Sequence, residues 1–153
     1  MKCFCDTNIL LYQYDASAPH KQFIADELVK RLLADGSLVI STQVMMEFYQ
    51  VATRKYSQSI AADRLLRLMA EFAACNPIVV TPELIMDAVA IHRRHSFSWW
   101  DSTIIAAALE AEVDVLYSED LQDGRDFDGL RIKNPFRSAV NETRATYSRK
   151  RRK

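Results

Sequence analysis

What most constrains this 153-residue chain is the spacing of its short apolar runs. Met1-Lys2-Cys3-Phe4-Cys5, Leu38-Val39-Ile40, Ile78-Val79-Val80, Val113 to Tyr117 and Leu130-Arg131-Ile132 have strand length and are mostly strand formers. Longer stretches of helical period separate them. Residues 17 to 35 carry Phe23, Ile24, Leu28, Val29, Leu32 and Leu33 and close on Asp35-Gly36, while Ser41 or Thr42 can cap a helix running to about Lys55. Further helices are predicted near residues 58 to 74, from Thr81-Pro82 to about His95, and over 99 to 112. Strands separated by helices pair in parallel, because the crossover returns each strand in the same direction, and such sheets are covered on both faces. The expected fold is α/β, a three-layer α/β/α sandwich with a central parallel sheet. The predicted domain spans residues 1 to 136, ending at Asn134-Pro135-Phe136, with 137 to 153 a separate flexible tail.

Charge supports that division. Residues 1 to 136 carry 13 Lys/Arg against 19 Asp/Glu, and residues 137 to 153 carry 7 against 1. The zero formal net charge therefore averages an acidic body with a basic tail. Arg149, Lys150, Arg151, Arg152 and Lys153 are candidate contacts for a nucleic-acid phosphate backbone by counterion release, or otherwise a solubilising end. Cys3, Cys5 and Cys75 are an odd number without metal-ligand spacing to a histidine, and read as reduced core residues. No apolar stretch approaches bilayer length, so a cytoplasmic protein without a membrane partner is expected.

Four carboxylates stand out by position. Asp6, in Phe4-Cys5-Asp6-Thr7-Asn8, ends the first strand on the edge where open α/β sheets bind ligands, although an Asx turn would use the same residue. Glu47 falls about 90° from the stripe of Val44, Phe48, Val51 and Ala52, on the shoulder of its helix's buried face. Asp101 lies within about 60° of Ile104 and about 20° of Ala108, inside an apolar face. It also occupies the acid position of a capping box opened by Ser98. Asp120 follows the strand ending at Tyr117, with Glu119 and Asp123 as alternatives in the same loop. Two carboxylates ~5 Å apart repel by roughly 3 kcal/mol at an effective dielectric of 20, so a pocket holding all four calls for a cation. All-oxygen donors favour Mg²⁺ or Mn²⁺ over Zn²⁺, and such an ion supports phosphodiester hydrolysis by water.

Asp6-Thr7-Asn8, Glu47, the block Ser98-Trp99-Trp100-Asp101-Ser102-Thr103-Ile104-Ile105-Ala106-Ala107-Ala108, and Leu116-Tyr117-Ser118-Glu119-Asp120 together resemble the four acidic motifs of the PIN-domain family. The closing Gly129 to Phe136 is similar to its bacterial VapC-type toxins. The resemblance implies a Mg²⁺- or Mn²⁺-dependent endoribonuclease, commonly a homodimer inhibited by an antitoxin protein. Carried over by motif, Asp6, Glu47, Asp101 and Asp120 would hold metal and orient the attacking water, with Asn8 and Ser118 supporting the first and last acids. Whether Glu119 or Asp120 faces the metal stays open.

Trp99 and Trp100 could stack on a base but, flanking a helix start, are expected in core or partner contacts, and His20, His92 and His95 carry no nucleophile pattern. Met45, Met46, Phe48, Tyr49 and Leu65 to Met69 suggest apolar surface for a homodimer or antitoxin contact. Competing readings are a catalytically silent PIN-like module that binds RNA or protein, and a phosphoaspartate-type phosphatase. The phosphatase needs a second Asp where Asn8 stands, and three glycines without a phosphate-loop spacing argue against a nucleotide-binding module.

Overall fold

The computed structural model describes residues 1 to 137. The tail residues Arg149 to Lys153 and the tail's expected flexibility lie outside the described residues. In chain order the elements are β1 (Cys3–Cys5), α1 (Thr7–Tyr12), α2 (Pro19–Ala34), β2 (Leu38–Val39), α3 (Thr42–Lys55), α4 (Ala62–Ala74), α5 (Pro82–Arg94), α6 (Trp99–Glu110), β3 (Val115–Tyr117), β4 (Asp126–Phe127) and β5 (Leu130–Lys133). They form one sheet of order β2-β1-β3-β5-β4, parallel except for the β4–β5 pair. Cys3, Phe4 and Cys5 are all fully buried. Successive strand residues point to opposite faces, so β1 is covered on both sides, as the three-layer expectation requires. Among the described residues, no helix is long and apolar enough to cross a membrane.

Helix α6 carries Asp101 in its first turn above a packed interior. Ser102 to Ala108 are all buried, an all-round apolar helix rather than an amphipathic one. It ends at Glu110, two residues before the predicted end. Glu112 takes a left-handed φ of 49°, and Glu112 N and Val113 N bond back to Leu109 O and Ala108 O in a Schellman turn. That turn directs the chain straight into β3.

Three local expectations are corrected. Ile78-Val79-Val80 is no strand: Ile78 makes a single parallel bridge to Ser41, and Val80 N donates to the Thr42 side chain at 3.1 Å. Helix α3 begins at Thr42, which leaves no further strand to pair with. Two elements are too short to carry a periodic signal. Helix α1 has only six residues, and β4 closes a hairpin through Asp128 and Gly129, both at positive φ (51° and 87°). Finally, Phe48, Leu65 and Leu68 are core residues, with Phe48 edge-on to Phe72 at 5.0 Å. The apolar surface left on α3 and α4 is Met46, Tyr49 and Leu66, beside a groove of about 540 Å³ lined by Tyr49, Ile60, Leu65, Leu66 and Met69 among others.

Candidate acidic site

The parallel β1–β3 register pairs Cys5 with Tyr117, and Asp6 N donates to Tyr117 O at 3.0 Å. Asp6 and Ser118, each one residue past its strand, therefore lie side by side. Ser118 Oγ donates to Asp6 Oδ2 at 2.8 Å, and Thr7 N donates to Asp6 Oδ1 at 2.7 Å. Asp6 is only 7% exposed. Burial pushes its carboxyl up to about 6; the bonds from Ser118 and Thr7 pull downward, and the charges of Glu47 and Asp120 add to the rise.

Three of the four acids are tied to neutral donors. Glu47, half-buried on α3, accepts from Thr7 Oγ1 (2.8 Å) and Gln43 Nε2 (2.9 Å), and Gln43 in turn accepts from Thr103 Oγ1 of α6. Asn8 Nδ2 donates to Asp120 Oδ2 at 2.8 Å. The two polar supports thus act crosswise, Asn8 from the first motif on the last acid and Ser118 from the last motif on the first acid. On α6 the Ser98 hydroxyl accepts from Asp101 N at 3.1 Å, which is half of a capping box. Among the described residues no hydrogen bond ties the Asp101 carboxylate, which leaves its oxygens free for a ligand.

Asp6, Glu47, Asp101 and Asp120 line one cavity of about 290 Å³, together with Thr7, Asn8, Gln43 and Trp100 among others. Glu119 is not among its lining residues. It pairs with Lys21, whose hydrogen bond and that of Tyr12 hold its carboxyl below the usual range against the upward effect of burial. Asp120 is therefore the acid of its loop that shares the cavity. Asp123 instead accepts from Asn134 N at 2.8 Å, and none of the three histidines lines the cavity. Thr7 and Gln43 are functional candidates that sequence reading passed over; Thr7 stood within the first motif, but its reach to Glu47 depends on packing of α1 against α3.

Among the described residues no three His, Cys, Asp or Glu side chains are close enough together to form a metal cluster. The donor chemistry still fits a hard cation. Mg²⁺ is characteristically held by one or two carboxylates with water in its remaining positions, and a buried carboxylate held up at about 6 is an acid that a cation would relieve.

Trp99 packs partly buried against the core and edge-on to His92, as expected. For Trp100 the core alternative is ruled out and the partner-contact one is left open: it is 63% exposed, at the rim of the acidic cavity.

Residues 3–127 match the PIN domain family. No curated protein sequence matches the chain. Among solved structures, the chain is similar to one in a toxin-antitoxin complex from Klebsiella pneumoniae, with 18% identity, a TM-score of 0.66, and 88% of this chain and 98% of that one covered. It is also similar to VapC20 of Mycobacterium tuberculosis, described as a sarcin-ricin loop cleaving toxin, with 20% identity, a TM-score of 0.57, and coverage of 78% and 92%. At these identities the likeness is one of fold.

Proposed function

Because this chain belongs to the PIN domain family, we propose that it is a Mg²⁺- or Mn²⁺-dependent endoribonuclease, the toxin of a toxin-antitoxin pair, with residues 1 to 136 as its nuclease domain. The observation that carries the reading is the convergence of Asp6, Glu47, Asp101 and Asp120, from four separate parts of the chain, on one cavity. The cation would be held among these four, one or two of them binding it directly and the others through its water. When bound, it supplies positive charge that polarises a phosphoryl oxygen and acidifies water. Ser118, Thr7, Gln43 and Asn8 keep three of the carboxylates from turning away. Asp101, whose oxygens meet no donor among the described residues, orients the attacking water and accepts its proton. An antitoxin protein is the natural inhibitor in this reading, and the groove between α3 and α4 is the contact for a homodimer or for that antitoxin.

The test is incubation of the purified full chain with an end-labelled RNA pool, with Mn²⁺ or with chelator. Cleavage is expected only with the metal, and Asp101→Asn abolishes it. Cleavage that survives chelation or this substitution would refute the assignment, and a folded protein that binds RNA without cutting it would favour the silent binding module.

A further inference from the structure

The acidic cavity does not end at Trp100. A second recess of about 470 Å³ is lined by Gln43, Met46, Glu47, Gln50 and Trp100, and all of these except Met46 also line the acidic cavity. The two form one depression with carboxylates at one end and apolar surface at the other. Trp100 and Met46 supply that surface and are both about two-thirds exposed. Leaving an indole in water forgoes the burial that Trp99, its neighbour, obtains against the core. Gln43 is a fixed wall, its amide engaged by Glu47 and Thr103. Gln50 is exposed and presents an amide with both donor and acceptor.

A flat aromatic ring with a polar edge, tethered to a phosphate, fits this combination. Asp101 and Trp100 are adjacent in the chain, so a phosphate at the acids carries its own nucleoside toward the indole. We propose that Trp100 and Met46 form a seat on which one unpaired nucleobase beside the scissile phosphate stacks, with the Gln50 amide at the base's edge. The inference rests on the RNA-cleaving reading and adds to it the residues that choose the flanking nucleotide. Stacking on an aromatic side chain contributes about 1–3 kcal/mol per base, a factor of roughly 5 to 150 in binding.

The test uses the full chain carrying Asp6→Asn, so that RNA stays intact, titrated with a random-sequence 12-nucleotide single-stranded RNA in Mn²⁺ while tryptophan emission is read. Binding is expected to quench emission. Adding Trp100→Phe should abolish most of the quench while retaining affinity, and Trp100→Ala should weaken binding roughly 5- to 150-fold. In the active protein, Trp100→Ala should flatten the base preference at one position beside the cut, and an abasic nucleotide at that position should erase the difference between the wild-type protein and the Trp100→Ala variant. Unchanged affinity in Trp100→Ala, or binding without quenching, overturns the seat and leaves the indole to a protein partner. If the wild-type chain cleaves RNA while these results fail, only the seat falls; if RNA binds with the expected quench but is never cut, only the nuclease reading falls.

Discussion

Replacing Asp6 by Asn should stabilise the metal-free protein while removing its activity, and the size of the effect follows from one carboxyl group. Asp6 ionises near 3.8 in an unfolded chain and at about 6 in the folded one, because burial and the nearby charges of Glu47 and Asp120 disfavour its anion. Below pH 3.8 the acid is protonated in both states and costs nothing. Between pH 3.8 and about 6 the unfolded chain has released the proton that the folded protein still holds, so stability falls as pH rises. Above that window the full cost stands, about 3 kcal/mol. Asn cannot ionise and escapes this cost, but its single carbonyl cannot accept from both Thr7 N and Ser118 Oγ, a loss of about 1 kcal/mol. The net gain at pH 7 is about 2 kcal/mol, or roughly 4–8 °C in Tm for a domain of this size. Thermal and denaturant unfolding in chelator, from pH 4 to pH 7.5, would read it. The advantage of Asp6→Asn should be near zero or negative at pH 4 and grow through pH 6, and Mn²⁺ should raise the wild-type Tm more than the variant's. A variant no more stable at pH 7, or an advantage flat across pH, would refute the electrostatic account.

Three further outcomes are expected. Asp120→Asn should lower kcat/KM by about 100-fold or more, whereas Glu119→Gln, which loses only the contacts with Lys21 and Tyr12, should cost less than about 10-fold; equal losses would return Glu119 to the site. If about four tail charges contact phosphates, RNA binding should fall with salt at a log-log slope near −3, and truncation after Phe136 should remove most of that slope while leaving kcat nearly unchanged. Leu66→Lys, at the rim of the α3–α4 groove, should shift the protein from dimer to monomer in sedimentation without affecting the fold, and a wild-type chain that sediments as a monomer at micromolar concentration would remove the homodimer proposal.

The layered fold was legible because its signals are local. Apolar runs of three to five residues between stretches of helical period leave few alternatives to a parallel sheet under helices, and the caps at Ser41, Thr81 and Ser98 all accept the bond their sequence promises. The failures have equally local causes. Ile78 to Val80 has the composition of a strand, but composition cannot reveal that its neighbour Thr42 has already entered a helix. A two-residue strand such as β4 carries no periodicity, although Asp128-Gly129 was a hairpin signal in plain view. Sequence cannot divide Trp99 from Trp100, both of which flank a helix start, and only the placement of α6 turns Trp99 to the core and Trp100 to the cavity rim. The four acids could be picked out by strand ends and helix faces; their mutual bonding could not, since Asn8 to Asp120 and Ser118 to Asp6 each span 112 residues.

Those two bonds show why the site and the fold specify one another. The register that sets Cys5 against Tyr117 is what brings Ser118 Oγ to Asp6, and a slip of one residue would turn every side chain of β1 to the opposite face. Asp6 would then be buried with one donor fewer. The donors on Asp6 offset part of the cost of burying its charge, and that burial, with a smaller addition from the charges of Glu47 and Asp120, still leaves the carboxyl elevated. The remaining cost is offset by hydrophobic burial, including that of β1 and β3, the strands that lead into Asp6 and the Asp120 loop, whose residues are at most 8% exposed. Stability and function are therefore opposed at Asp6 while the site is without a cation, and become aligned once a cation shares its charge.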